Sequence, residues 1–397
     1  MKRLLIKNAA VVLPDKVLEN GDILIEDGKI AAIGSVNADL SVPVIDANGS
    51  YVMAGFIDVH LHGGGNADFM DATPEAFETA VKTHMQHGTT LMTPTAMSAT
   101  EEDLAAFIKA YHAFKATSPY AALTCGLHME GPYFFGAGRQ SSGAQPTNML
   151  RNPDMQEVER LLTIADGAIV RWDAAPELPG IDTFAKELVK RGICVAVAHS
   201  DATADETEEG FRNGFSHVTH FYNAISCHRK REQTVCAGIV EATYLDDNVT
   251  IELIGDGCHI TKQDFKLAVK IKGAENVSVI TDAMRLAGTD LKNGKLGSLK
   301  NGTDCLVDDG VAKLMDVLSF AGSICTMQRA LGVLHEKFQF DLPTVSTMMS
   351  KAPAKLLGCD DRKGTIEVGK DADLVIVTPT LYVRDVIVGG EHLHHNS

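Results

Sequence analysis

Two histidines one residue apart close an apolar run, Gly55-Phe56-Ile57-Asp58-Val59-His60-Leu61-His62, and Gly63-Gly64-Gly65 follows. Alternate side chains on a strand point the same way. His60 and His62 therefore face one point, as two imidazole ligands of a single divalent cation would. The glycines let the backbone turn sharply and are expected to leave open space over that point. An H-x-H pair alone says little, so other strand ends matter. Leu127-His128-Met129-Glu130 ends an apolar run with a carboxylate before Gly131-Pro132. The run from Cys194 to Ala198 ends in His199, Val218-Thr219 ends in His220, and Val277 to Thr281 ends in Asp282. A lone histidine or aspartate at such a place usually caps an element or satisfies the core. Five strand ends with ligand chemistry point to one shared metal centre.

The elements that must position these residues alternate. Candidate strands lie near 53–59, 89–93, 122–129, 168–173, 193–198, 216–219, 249–254 and 277–281, with helical patterns between them. Thr100 reads as an N-cap with Asp103 three residues on, and Leu104, Phe107, Ile108 and Tyr111 follow at helical spacing. Phe184, Leu188 and Val189 make a similar face before Gly192. Eight strands alternating with helices predict a (β/α)8 TIM-type barrel, an α/β fold whose sites sit at the C-terminal strand ends. The ligand candidates fall at the ends of the first, third, fifth, sixth and eighth runs, so one mouth collects them all. Both termini instead read as short strands and turns, with a hairpin expected at Asp27-Gly28. The predicted organisation is a small β-sandwich from 1–52 plus 353–397 and a hydrolase-type barrel over 53–352. Two longer helices are expected over 320–338 and 343–357, with Ser319 to Ser323 close to the substrate.

At 397 residues the chain can hold a barrel of roughly 250 residues and a second module. A formal charge of −16 argues against nucleic acid and anionic membranes as partners, and makes any phosphate site depend on local cations. No apolar run reaches the roughly 18 residues of a membrane span, and Met1-Lys2-Arg3 meets charge too soon for a signal peptide. Eight scattered cysteines without a C-x-x-C pair read as reduced thiols of a cytoplasmic protein. Cys258, beside His259, is a candidate for lining the site. The tail Glu391-His392-Leu393-His394-His395 has residues that could bind a metal adventitiously, and it reads as a solvated end rather than the active centre.

The order H-x-H, Glu, His, His, Asp on successive strand ends, with β segments at both termini, resembles the amidohydrolase superfamily. Within it the chain is similar to the N-acetylglucosamine-6-phosphate deacetylases. The matching segments are Gly55 to Gly63, His128-Met129-Glu130-Gly131-Pro132, Ala198-His199-Ser200, Thr219-His220-Phe221-Tyr222-Asn223-Ala224, Asp256-Gly257-Cys258-His259 and Thr281-Asp282-Ala283-Met284. Gly364 to Asp373 matches the superfamily's closing strand pattern. The resemblance covers nearly the whole chain.

The resemblance implies a role for each residue. Glu130, His199 and His220 would hold the metal common to the family. Some members lack the H-x-H pair; His60 and His62 are kept here, which implies a second ion with Glu130 bridging. Zinc is the first expectation for the one or two ions, with Fe, Mn and Co as alternatives. Asp282 would be the catalytic acid/base. Asn223 and Ala224 would meet the phosphate or sugar, Ala224 through its backbone N–H, and His259 would contact the sugar. Arg231 would reach the phosphate in the neighbouring subunit of a homodimer. Three departures stand out. Ala54 replaces a proline common in the family. Gly143-Ala144-Gln145-Pro146 replaces Gly-Ala-His-Asn-Pro, and Gln145 can hydrogen-bond a carbonyl but carries no charge. His228, Arg229 and Lys230 add further candidates for the phosphate.

The implied reaction is hydrolysis of N-acetylglucosamine-6-phosphate to glucosamine-6-phosphate and acetate. A divalent metal lowers the pKa of bound water from about 15.7 toward about 7 and polarises a carbonyl. Metal-bound hydroxide would attack the acetyl group, with Asp282 passing the proton to the leaving amine. Two other readings compete: an amidohydrolase for cyclic amides or N-acyl-amino acids, and a non-catalytic barrel scaffold. Binuclear cyclic-amide hydrolases usually use a modified lysine on the fourth strand, where Ala168 to Asp173 has none. The second should have lost ligands, and none is lost.

Overall fold

Eight parallel strands lie side by side in chain order: β1 Phe56–Leu61, β2 Thr89–Ala96, β3 Leu127–Glu130, β4 Ile169–Ala174, β5 Cys194–Val197, β6 Phe215–Val218, β7 Thr250–Ile254 and β8 Val277–Ile280. The computed structural model describes residues 2–37, 41–136, 139–231, 233–315 and 319–396, and of these the side chains of 139, 140 and 231 lie outside the description. The sheet closes where β8 meets β1. Leu61 bridges Ala283 in parallel, and the Asp282 N–H donates to the His60 carbonyl at 2.9 Å. Asp58 pins the same seam, its Oδ2 accepting from Thr281 Oγ1 at 2.6 Å. The predicted (β/α)8 barrel is therefore the observed one.

The helices obey the local rules that suggested them. Thr100 caps the helix Glu101–Thr117, its hydroxyl accepting from the Asp103 N–H at 3.2 Å. Helix Ile181–Lys190 buries Ile181, Phe184, Ala185 and Leu188 against the barrel, but Val189 faces outward. The third strand starts later than the 122–129 expected. Ala121–Leu123 is a single tight turn, and Gly126, at φ +142°, passes so close to Ala168 and Val170 that a Cβ would clash.

The segment after β8 also differs from expectation. A three-stranded antiparallel sheet, Asn293–Leu296, Thr303–Asp308 and Val311–Leu314, stands between β8 and the first expected helix, where no element was expected. The helix expected from 320 begins at Met327, capped by Thr326. Before it, Ser323 pairs with the end of β8, which holds the chain extended. Leu342–Leu356 is helical throughout, but its turns widen over Thr347–Lys351, just before Pro353 withholds an N–H from the helix ladder.

Both termini build one curled sheet. Its strands run Glu391–His395, Val383–Val388, Leu374–Val377, Tyr51–Ala54, Arg3–Val12, Val17–Glu26 and Lys29–Gly34, with Val44–Asp46 beside Arg3–Val12. The Asp27-Gly28 hairpin turn has both residues at positive φ, +48° and +80°, the form favoured between twisted strands. The sheet folds over a core of Ile6, Val11, Ile23, Ile25, Leu374, Ile376 and Ile387, giving a sandwich-like body. Tyr51–Ala54 belongs to that body and β1 to the barrel, so one residue, Gly55, joins them.

Candidate active site and metal centre

Three of the six metal-centre residues sit where the backbone turns into the left-handed region as its strand ends. His199 has φ +45°, His220 +29° and Asp282 +48°. Such values are uncommon for residues with a Cβ and cost on the order of 1–2 kcal/mol each. The surrounding fold imposes them, and each turn swings its side chain over the barrel mouth.

There the six predicted ligands converge. Glu130 Oε1 lies 3.0 Å from His199 Nε2 and 3.1 Å from His220 Nε2. Its other oxygen lies 3.3 Å from His62 Nε2. Asp282 Oδ1 lies 3.4 Å from His62 Nε2 and 3.7 Å from His60 Nε2. The atoms form two sets, Glu130, His199 and His220 in one and His60, His62 and Asp282 in the other, each within 4.8 Å. Glu130 faces both. All six residues are buried.

The hydrogen bonds fix which imidazole atom serves as ligand. His199 Nδ1–H donates to the Ser141 carbonyl at 2.9 Å, and His220 Nδ1–H to the Asn223 carbonyl at 3.1 Å. His60 Nδ1–H donates to Glu252 Oε1 at 2.6 Å. Each leaves an Nε2 lone pair for the mouth. The Nε2 atoms of His199 and His220 stand 3.2 Å apart, two lone pairs aimed at one space. His60 Nε2 is buried with no hydrogen-bond partner. This donor set fits a divalent cation.

Charge tells the same story. Burial alone would raise the Glu130 pKa, but hydrogen bonds from His199, His220 and His62 hold it well below the ordinary carboxylate range. Burial opposes Asp282 in the same way, and His62 and His60 bring it below its usual value. Burial disfavours charge on His220, yet Glu130 raises it to about 9. His62 is likewise raised well above normal by Asp282 and Glu130 against its burial. The two carboxylates draw positive charge to the centre, and a cation would take the protons' place.

Beneath the centre lies a polar platform that the sequence reading passed over. Glu252 accepts from His60 and also from the His220 N–H, at 3.1 Å, so it braces one residue of each ligand set. Arg171 donates to Glu252 Oε2 at 2.5 Å, to Asp173 at 2.8 Å and to Thr219 Oγ1 at 2.6 Å. Asp173 in turn faces His128 Nε2 at 2.8 Å. All are buried. A signal existed: Glu252 is a lone charge in an apolar strand, and Arg171 and Asp173 alternate on one strand face. Charges in a barrel strand must find partners there.

Gly63 and Gly64 do not leave open space. A Cβ on Gly63 would lie 2.2 Å from the Ala67 carbonyl oxygen, and one on Gly64 2.8 Å from His84 Nε2. The turn after His62 is packed, and Gly65, at φ +64°, makes it. The open space lies above the carboxylates instead, a cavity of about 390 Å³. Met97, Ile254, Leu296 and Phe320 give it apolar walls.

A family model described as "Amidohydrolase family" matches residues 51–393. The N-acetylglucosamine-6-phosphate deacetylase of Lysinibacillus sphaericus is 32% identical over 98% of this chain and 97% of its own length. That of Bacillus subtilis (strain 168) is 31% identical over 94% and 93%. The chain belongs to the amidohydrolase family, in its N-acetylglucosamine-6-phosphate deacetylase branch. A solved mutant of the Mycobacterium smegmatis N-acetyl-D-glucosamine-6-phosphate deacetylase, in complex with N-acetyl-D-glucosamine-6-phosphate, superposes with a TM-score of 0.89. It is 28% identical and 99% of each chain is covered.

In this family member the remaining predicted residues are placed as follows. Asn223, Ala224, His259 and Gln145 all line the cavity. Gln145 is held at both ends: Nε2 donates to Glu130 Oε2 at 2.8 Å, and Oε1 accepts from the Ser98 N–H at 3.0 Å. His259 Nδ1–H donates to Asp256 at 2.8 Å, and its ring meets Phe320 edge-on. Ser319 and Phe320 line the cavity as anticipated. Cys258 does not: it is exposed, turned toward Arg329. All eight cysteines are free. Arg229 is paired with Asp201 at 2.8 Å, in a hairpin of Arg229–Arg231 with Thr234–Cys236. The side chain of Arg231 lies outside the described residues. No helix among the described residues is long and apolar enough to cross a membrane.

Proposed function

We propose that this chain removes the acetyl group of N-acetylglucosamine-6-phosphate, releasing glucosamine-6-phosphate and acetate in amino-sugar catabolism. The observation that carries the reading is a buried Glu130 that belongs to one ligand set and lies 3.3 Å from His62 of the other, with Asp282 lining the cavity beside them. One or two divalent ions held by Glu130, His199 and His220 and by His60, His62 and Asp282, with zinc first among Zn, Fe, Mn and Co, would lower the pKa of a bound water and polarise the acetyl carbonyl.

The chain's own residues do the rest. Asp282, charged because its pKa is lowered, accepts the proton of the attacking water. It returns that proton to the amide nitrogen, since an amine leaves poorly unless protonated. Gln145 steadies Glu130 through the 2.8 Å bond and presents no charge to the neutral acetamide. Asn223, the Ala224 backbone and His259 orient the sugar along the cavity. Among the described residues, no lysine or arginine lines it. Cations at the rim or from a second chain would meet the phosphate, and we take the assembly to be a homodimer with Arg231 reaching the neighbouring site. We take 53–352 as the catalytic unit and 1–52 with 353–397 as the accessory one, with Met53 and Ala54 of the catalytic stretch paired into the accessory sheet. Eight free thiols suit a reducing compartment, which supports a cytoplasmic setting.

The test is acetate release from N-acetylglucosamine-6-phosphate beside unphosphorylated N-acetylglucosamine, with metal content measured on the same sample. Turnover of the phosphorylated sugar by metal-loaded protein is expected. No turnover of either sugar would move the reading to another amide substrate.

A further inference from the structure

We propose a second kind of metal site on the terminal sheet, made by Asp385, His392 and His395 and suited to a late divalent transition metal such as zinc, nickel or copper. Asp385 Oδ1 accepts from His392 Nε2 at 2.8 Å and from His395 Nδ1 at 2.6 Å. The three ligand atoms lie within 4.8 Å of one another. The Asp385 side chain is 1% exposed, while the imidazoles stand at the rim with 36% and 54% exposure. An ion can therefore enter from solvent without opening the core.

The strand geometry is what makes the site. On a regular strand, residues three apart face opposite sides. Here the pairing slips between Val386 and Ile387: His395 stands opposite Asp385, His394 opposite Val386, and His392 opposite Ile387. Leu393 is the extra, unpaired residue. The bulge turns His392 onto the face that Asp385, Ile387 and His395 already share. Bulges commonly re-aim a side chain in this way. His394 is left on the other face.

The carboxylate is also prepared. Arg384 Nε donates to Asp385 Oδ2 at 2.6 Å, and its Nη2 donates to the Asp46 carbonyl at 3.0 Å. Oδ2 is thereby occupied and Oδ1 presented alone between the two rings. The guanidinium disfavours hard cations that need several oxygens, whereas two imidazoles suit zinc, nickel or copper. Ligands at about 2.0–2.1 Å from an ion lie roughly 3.3 Å apart, so each ring need retreat by only about half an ångström. Bound there, the ion would tie the edge strand Glu391–His395 to its neighbour and stabilise the sheet by mass action.

The test uses the full chain with its barrel centre first loaded to constant activity. Wild type and His392→Ala/His395→Ala are dialysed against zinc, nickel or copper, and metal per chain is measured by mass spectrometry. Wild type is expected to carry one more ion than the double variant at equal kcat. Nickel should slow amide exchange across 391–396 in wild type alone. Asp385→Asn should lose the same ion, and His394→Ala should keep it. Equal metal content in wild type and the double variant, or loss of the ion in His394→Ala, would overturn the proposal.

Discussion

Among the described residues, two histidine–carboxylate clusters stand on the two eight-stranded sheets of this molecule, and they differ in what lies behind them. At the barrel mouth every ligand is buried, and His60, His199 and His220 each have a second ring nitrogen held by an acceptor. The acceptor of His60, Glu252, is itself held in the Arg171–Glu252–Asp173 platform. On the terminal sheet only Asp385 is buried, and one arginine supports it. The first cluster is set before any ion or substrate arrives. The second is assembled at the surface from groups that already satisfy one another. Preorganisation of this kind separates a centre that can do chemistry from one that can only bind.

The comparison breaks most sharply at Asp282. Asp282→Asn should lower kcat by about 10²- to 10⁴-fold, with the metal content of the Glu130, His199 and His220 set unchanged. Near-normal turnover would remove the acid/base role. Next, Glu252→Gln should keep the shape of the platform but strip its charge from between His60 and Arg171. Metal affinity should fall by roughly 10- to 100-fold, read by competition with a coloured chelator. Unchanged affinity would mean that the platform serves folding alone. Arg231→Ala should raise KM for the phosphorylated sugar by about 10-fold or more, the worth of a charge-assisted hydrogen bond. The unphosphorylated sugar should be unaffected; equal effects on both would argue against a phosphate contact.

A smaller effect sharpens the difference in burial. His84 donates to the Gly63 carbonyl at 2.9 Å, under the turn that follows His62. Burial lowers its pKa to about 4, from an ordinary 6.5. The unfolded chain therefore binds the proton first. The stability is complete above pH 6.5 and falls as the pH drops toward 4, by at most about 3 kcal/mol. His84→Gln keeps a donor and does not titrate, so its urea midpoint should fall less between pH 7 and 4.5. A parallel decline in both proteins would count against the buried neutral ring. Least affected should be kcat in His392→Ala/His395→Ala, within about twofold of wild type, as expected of surface substitutions.

Much of the centre was legible because strand ends are short-range features. An apolar run that stops at a histidine or carboxylate can be read residue by residue, and Glu130, His199, His220 and Asp282 were found that way. The platform was harder. Glu252, Arg171 and Asp173 lie within strands, and only the closed barrel shows that their faces meet. The Asn293–Leu314 sheet was missed because strands of four to six residues carry little alternation. The role of Gly63 and Gly64 was misjudged because the groups that crowd them, Ala67 and His84, reach them through a tight turn and a neighbouring helix.

The sequence by itself determined the barrel, the chain-end sheet and the six residues that meet at the barrel mouth, since periodicity and strand-end chemistry are local. Tertiary structure alone decided which imidazole nitrogen faces the centre, which carboxylate is shared and where the substrate space opens. It also decided that His392 and His395 share a face with Asp385. For His60 and His199 those facts depend on acceptors 192 and 58 residues away, Glu252 and Ser141, and for the terminal cluster on a bulge in the register of the last hairpin.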